Sequence, residues 1–358
     1  MADPNRITQR ENQGRKVPRK RTTPTAQSGV NPITWSTAER KHSSPTTAAA
    51  RRANGKLSPL QKKSITKGKV RGGNPEAKSA KNPSAPKKVL GMKELKVKVV
   101  HAASQGCRRS MEDESFSSGE FFLKGKERPG PWSFHAVFDG HGGSGCSTHL
   151  KAHLYKELFR ELKTCNMVEE ALRRSFRKVD RKLCMQREFS GSTAITCLIH
   201  HPTREIWVAN VGDSRAVASS EGKAIALSKD HKPNRPDEMA RIKRAGGVVF
   251  CGRVNGELAV SRAFGDCRLK KDQVVTASPE ITFRKAMLKD EFIVLGCDGL
   301  YDVMNNSEVV GWVHFIQGAG KGLQEVADSL VERAITELGS TDNVSVCVIS
   351  FQQDAKST

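Results

Sequence analysis

The sequence has no apolar run long enough to cross a bilayer, which excludes a helical membrane anchor. It has no Cys-x-x-Cys pair among its nine cysteines. That excludes a dithiol redox motif. The odd count and the lack of a secretory leader lead us to expect a reducing compartment and free thiols. Cys146, beside a glycine-rich turn, is the thiol to watch for oxidation, although a small buried hydrophobe is its ordinary role. Ala2 stands where N-myristoylation needs glycine. Acidic residues are scarce at one end: residues 1–90 hold 4 Asp and Glu against 21 Lys and Arg, a net of +17 out of the chain's +22. The rest is nearly balanced. With 358 residues and 37% hydrophobic content, a substantial core is within reach, in one large domain or two ordinary ones.

Residues 1–92 are Lys, Arg, Pro, Ser, Thr, Ala and Gly with almost no periodic apolar positions, the composition of a disordered basic tail. Arg15-Lys16-Val17-Pro18-Arg19-Lys20-Arg21 is dense enough for nuclear import or an anionic surface, and Ser44-Pro45 and Ser58-Pro59 resemble sites for proline-directed kinases. The plain alternative is a solvated linker with no partner. Residues 93–354 are read as one folded domain.

Within that domain the stretch Phe134-His-Ala-Val-Phe-Asp-Gly-His-Gly-Gly143 stands out. An apolar run suited to a buried strand stops on Asp139, and Gly140, His141, Gly142 and Gly143 bring bare backbone close to whatever that carboxylate faces. A single Asp-Gly is an ordinary turn. Here it recurs. Three more apolar runs end on or start from aspartate: Ile206 to Asp213, Phe292 to Asp298 with Asp302 beyond, and Asp342-Asn343 leading into Val344 to Ile349. Carboxylates gathered at strand ends repel and raise one another's pKa unless a cation sits among them. All-oxygen ligands select magnesium, manganese or calcium, whereas zinc asks for His and Cys.

The remaining pattern frames these acids. Leu150, Leu154, Leu158 and Leu162 trace one amphipathic helix and Val168, Leu172, Phe176, Val179 and Leu183 a second. Strands are expected over 94–100, 195–199, 205–211 and 215–218, with a hairpin at Ser219 to Gly222, and such close spacing favours an antiparallel layer. Pro236 suits the first turn of a short helix with Met239 and Ile242 inward. His231, in the proline-bounded Asp230-His-Lys-Pro-Asn-Arg-Pro236, is read as ordering a turn rather than as a ligand. Helices over Asn306 to about Phe315 and Leu323 to Leu338 follow, the latter with Gly339 as its C′ residue.

Taken together these residues resemble the metal-dependent protein phosphatases of the phosphatase 2C type. Eight segments stand in that family's order: Arg108-x-x-Met-Glu-Asp113, Phe138-Asp-Gly-His-Gly-Gly143, Gly191-Ser-Thr-Ala194, Val211-Gly-Asp-Ser-Arg215, Asp230-His-Lys-Pro233, Leu258-Ala-Val-Ser-Arg-Ala-Phe-Gly-Asp266, Asp298-Gly-x-x-Asp302 and Asp342-Asn343. The resemblance covers about Val97 to Phe351. It implies an α+β, four-layer αββα sandwich, two antiparallel sheets flanked by helices, with the site at one edge between them. It further implies that Asp139 bridges two manganese or magnesium ions, that Asp298 and Asp342 hold the first, and that the Gly140 carbonyl and Glu112 serve the second. Asp113 would orient bound water. Asp213 and Asp302 would help a weaker third ion.

The implied reaction is hydrolysis of phosphoserine and phosphothreonine by a metal-bridged hydroxide, with Arg108 on the phosphoryl oxygens and His141 as general acid. The absence of a Cys-x₅-Arg phosphate loop agrees with that chemistry. Cys267 to Ala277 is short, so a small substrate flap is expected. The alternative is an inactive phosphatase-fold module that binds phosphoproteins; such modules lose a metal acid, and none is lost here. A third possibility makes the tail the main activity, on nucleic acid. Expected partners are phosphoproteins and, through the tail, anionic surfaces; the chain is expected to be a monomer in the nucleus or cytoplasm.

Overall fold

The computed structural model describes residues 94–123 and 128–352, so the expected tail over 1–92 lies outside the described residues. Strands buried on both faces need apolar residues without interruption, and Ala194–His200 is buried at every position. Strands of this kind lie at the centre of two antiparallel sheets whose edge strands, such as Lys96–Ser104 and Glu280–Lys285, are half-exposed. One runs in the order Lys96–Ser104, Val344–Gln352, Asp290–Gly296, Arg215–Ser220, Lys223–Ala226. The other runs Glu280–Lys285, Glu205–Val211, Ala194–His200, Pro131–Phe138, Glu114–Ser117, with Phe121–Phe122 also on Pro131–Phe138.

The layers follow from which side chains meet. Val137, Ile195 and Ile199 pack between the sheets against Ala216, Ile293, Leu295 and Ile349. The reverse face of the second sheet, with Phe134 and Phe138, meets Leu150, Leu154 and Leu158 of α1 (Gly145–Thr164) and Leu172 and Phe176 of α2 (Val168–Met185). α3 is Pro236–Arg244 and α4 the short Asp298–Tyr301. The reverse face of the first sheet meets α5 (Asn306–Gly318) and α6 (Leu323–Glu332) through Val294, Val348, Val313 and Leu330. Helix, sheet, sheet, helix is the expected αββα order. Each fully buried leucine contributes about 1.5–3 kcal/mol to holding it.

Local differences have physical causes. In α3 the inward place expected for Met239 goes to Glu238, buried and bonded by Arg262 (2.7 Å), Ser261 (2.7 Å) and Arg241 (3.0 Å). Burial alone would raise that carboxyl; the hydrogen bonds hold it well below the usual range instead. The helix expected to run to Leu338 widens into a π turn over Arg333–Glu337, and Gly339, at φ +73°, stands where a C′ glycine was expected. The expectation of free thiols holds for seven cysteines and is corrected for one pair. Cys184 at the end of α2 and Cys267 form a disulfide, a pairing that 83 residues of separation hides from sequence. Cys146, by contrast, is fully buried.

Polar groups inside the sandwich are strung together. His101 Nε2 meets Ser117 Oγ (2.7 Å), which meets His135 Nδ1 (2.8 Å); His135 Nε2 meets Ser133 Oγ (3.0 Å), and Ser133 meets His201 (2.9 Å). Burial, then the neighbouring His101 and His201, pushes His135 down to about 3. His135 and His201 have both ring nitrogens engaged and are satisfied core histidines, whereas the Nδ1 of His101 has no hydrogen-bond partner.

Candidate metal centre

Four strand ends or the turns beside them deliver the acids. Pro131–Phe138 stops at Asp139, whose backbone N–H donates to Thr193 Oγ1 (3.2 Å) and whose carbonyl accepts from Thr193 N (2.8 Å). Asp213 sits at the corner between Glu205–Val211 and Arg215–Ser220. His231 fastens that corner: its backbone N–H donates to the Gly212 carbonyl (3.0 Å) and its ring lies 3.2 Å from Gly212 N. It therefore orders a turn, as expected. Asp298 opens α4 directly after Asp290–Gly296, and Asp302 follows one turn later with its N–H on the Asp298 carbonyl (2.7 Å).

Oxygens of Asp139, Asp213 and Asp298 come within 4.8 Å of one another, the one group among the described residues with three such ligand atoms. Burial, then the charges of Asp113, Asp298, Asp213 and Asp342, pushes Asp139 well above the ordinary carboxylate range. Burial and then Asp213 and Asp302 push Asp298 up to about 7. Asp113, raised by burial to about 6, has a buried Oδ2 with no hydrogen-bond partner. A set of hard oxygen donors that repel one another and leave one oxygen unbonded is what a divalent cation fits.

The trio is not the expected Asp139, Asp298 and Asp342. Asp342 turns its Oδ2 to Arg108 and accepts from Asn343 N (2.7 Å), although its charge still acts on Asp139, Asp113 and Asp298. Glu112 also lies to one side, accepting from Gly143 N (3.1 Å) and Ser110 Oγ (2.9 Å). Gly140 is needed for close approach: a Cβ there would run into the Glu112 carbonyl. Lys232 supplies the nearest positive charge, bonded to Asp213 and 3.9 Å from Asp298.

Three contributors were missed by the sequence reading. Lys232 lies in the proline-bounded Asp230–Pro236 segment, which its sequence marks only as a turn. Asn343 clasps the Arg108 segment, accepting from Glu112 N (2.9 Å) and donating to the carbonyls of Gln105 (2.9 Å) and Ser110 (3.0 Å). Asp266 accepts from His141 Nε2 at 2.8 Å, and Gly191 lies so close that a Cβ would strike both. The signal for Asp266 was its place at the end of a family motif with no role attached. Burial would lower the His141 pKa, but the hydrogen bond and charge of Asp266, then Asp213 and Glu112, leave it raised. Asp266→Asn is expected to move the alkaline limb of any activity that needs protonated His141 to lower pH, with about a tenfold loss of kcat. A pH–rate profile checks it; an unmoved limb contradicts it.

A model of the family described as protein phosphatase 2C matches residues 97–344. The chain belongs to the protein phosphatase 2C family. The fission yeast protein phosphatase 2C homolog 2 is 38% identical over 69% of this chain and 71% of its own length. The rice probable protein phosphatase 2C 7 is 44% identical over 60% of this chain, which spans 56% of the rice protein. A solved phosphatase from Toxoplasma gondii superposes with a TM-score of 0.63 at 26% identity, covering 74% of this chain and 96% of that one. Phosphatase 2C relatives make this a protein serine/threonine phosphatase, and nothing favours the inactive module. No described helix is long and apolar enough to cross a membrane.

Proposed function

We propose that the domain hydrolyses phosphoserine and phosphothreonine in proteins using two manganese or magnesium ions, with a third bound more weakly. The observation that carries this is the convergence of Asp139, Asp213 and Asp298 in a partly buried cluster that repels itself. Asp139, the Gly140 carbonyl, Glu112, Asp298 and Asp342 would hold the pair, and Asp213 and Asp302 the third. Such ions, when bound, supply Lewis acidity and an acidified water.

The chain's own side chains supply the rest. Arg108, 58% exposed at the rim, swings from Asp342 to hold phosphoryl oxygens through its planar fork. His141 gives its proton to the leaving serine or threonine oxygen; Nε2 is engaged by Asp266, so Nδ1 is the atom that faces it. Asp113 orients water from its buried position. Phosphate release from a phosphothreonine peptide, required to appear with millimolar manganese and vanish with chelator, tests the reading; no release in either condition overturns it. Arg108→Ala is expected to lower kcat/KM by roughly 10- to 100-fold, read in the same assay.

For residues 1–92 the reading is an address that draws the enzyme to anionic partners in the nucleus or cytoplasm, the enzyme itself being a monomer. The tail's net of +17 supports it. Deleting residues 1–90 is expected to leave turnover on a small phosphate ester within about twofold while redistributing the protein in cells and removing polyanion binding that survives at about 150 mM salt. Lost turnover in the truncated chain contradicts the division.

A further inference from the structure

Three two-residue strands connect His141 to α2. Phe264–Gly265 pairs with Gly191–Ser192, which pairs in turn with Gly140–His141. The His141 ring and the Asp266 carboxylate therefore meet across the bare Gly191, 2.8 Å apart. The backbone that aims Asp266 is left-handed at two successive residues, Gly265 at φ +68° and Asp266 at φ +46°. A glycine takes that conformation freely. An aspartate in the left-handed region persists where its surroundings over-determine it.

The later turns of α2 supply those surroundings. Asp180 Oδ1 accepts from Gly265 N (3.0 Å), and both Asp180 oxygens accept from Lys270 Nζ (2.8 and 2.9 Å). The same ammonium donates to the Ala263 carbonyl. One carboxylate thus fixes the residue before Asp266 and, through Lys270, the chain on both sides of it. One turn earlier on the helix, Phe176 packs on Phe264 with ring centroids 5.2 Å apart; one turn later, Cys184 is bonded to Cys267. An Asp–Lys pair is commonly no more than a tie between two elements. Here its bonds converge on Ala263, Gly265 and Lys270, the three points that bracket Asp266, and both side chains are mostly buried.

Resting on the reading of His141 as general acid, we propose that Asp180 is a positioning residue for that acid: it holds residues 263–270 in the conformation that keeps the Asp266 carboxylate on His141 Nε2. Asp180 acts through Asp266, which turns the ring so that Nδ1 faces the leaving oxygen. The substrate separates this role from a scaffolding one. Threonine leaves as an alkoxide that needs a proton from the acid, whereas p-nitrophenyl phosphate releases a stabilised phenolate that does not.

The test compares a phosphothreonine peptide with p-nitrophenyl phosphate on the full chain in millimolar manganese, without thiol reductant, so that the Cys184–Cys267 bond stays closed. Asp180→Ala is expected to lower kcat on the peptide roughly 10- to 30-fold with KM within about twofold, and kcat on the aryl ester by less than about threefold. Asp180→Asn, which keeps an acceptor for Gly265 N, is expected to fall between wild type and Asp180→Ala. Asp180→Ala/Asp266→Ala is expected to be no slower on the peptide than Asp266→Ala, because a residue that acts through another adds nothing once that other is gone. If Asp180→Ala does not fold, Lys270→Met, which removes the ammonium and leaves the Gly265 bond, carries the same two-substrate comparison. Equal losses on the two substrates, or losses that multiply in the double variant, overturn the proposal. Wild type inert toward both esters overturns the phosphatase reading itself.

Discussion

Asp139→Asn is expected to lower phosphatase turnover by roughly 10³-fold and, in the same protein, to raise the melting temperature measured in chelator. The two effects share a cause. Asp139 is half-buried with four other carboxylates acting on it, and its folded-state pKa lies far above that of an unfolded aspartate. In the absence of ions, folding at neutral pH must either bind a proton there or confine the charge, and both cost free energy that the neutral amide avoids. The amide keeps the shape, so the backbone bonds to Thr193 persist. It loses the negative charge that would hold two cations together. A gain of roughly 5 °C in chelator, reversed in sign once manganese is present, is the expected pattern in a melting experiment. A variant that melts lower than wild type in chelator contradicts the account of mutual repulsion.

The second large effect is on stability against pH. A carboxyl whose folded pKa is raised contributes stability while it is protonated, and that contribution is lost as pH rises through the folded value. Asp298, raised from an unfolded value near 3.8 to about 7, places the loss between about pH 4 and 7, and Asp139 extends it upward. His141, also raised, is stabilising below its unfolded pKa and loses that contribution in the same direction. The core histidines act on the other side. His135, at about 3, is neutral in both states above pH 6.5; below that the unfolded chain takes up a proton the folded one refuses, so stability falls as pH drops. Above pH 6.5 His135 no longer offsets the carboxyls, so chelated protein is expected to lose stability from pH 6.5 to pH 8. Manganese or magnesium takes the place of protons among the carboxylates, so its stabilisation is expected to be larger at pH 8 than at pH 6.5, by roughly 5–10 °C in melting temperature. An equal shift at both pH values contradicts it.

How much of this was legible in sequence depends on the range of the interaction. The leucine stripe of α1 and the aspartates closing apolar runs are local patterns, readable because a strand or helix face repeats within a few residues. Element type followed from these, whereas the αββα layering was what the family resemblance implied and not something the spacing showed. Glu238 was not legible, since a carboxylate earns its inward place only from Arg262 and Ser261, more than twenty positions away. The same holds for Asp266 beneath His141, across 125 residues, and for Cys184 with Cys267. The gathering of acids was foreseen, but not that Arg108 would draw Asp342 aside and leave Asp213 in the tight trio. That choice is made by side-chain electrostatics after the backbone is set.

The strand Lys96–Ser104 pairs along its whole length with Val344–Gln352, from Lys96 opposite Gln352 to Ser104 opposite Val344. The domain thus closes on itself like a seam, and Asp342-Asn343 hang from the upper end of that stitching. Shortening the polypeptide from its front past Glu94 would unpick the seam and be felt at carboxylates some 240 positions downstream. A circular permutant that joins the two edges and opens elsewhere would keep them in place.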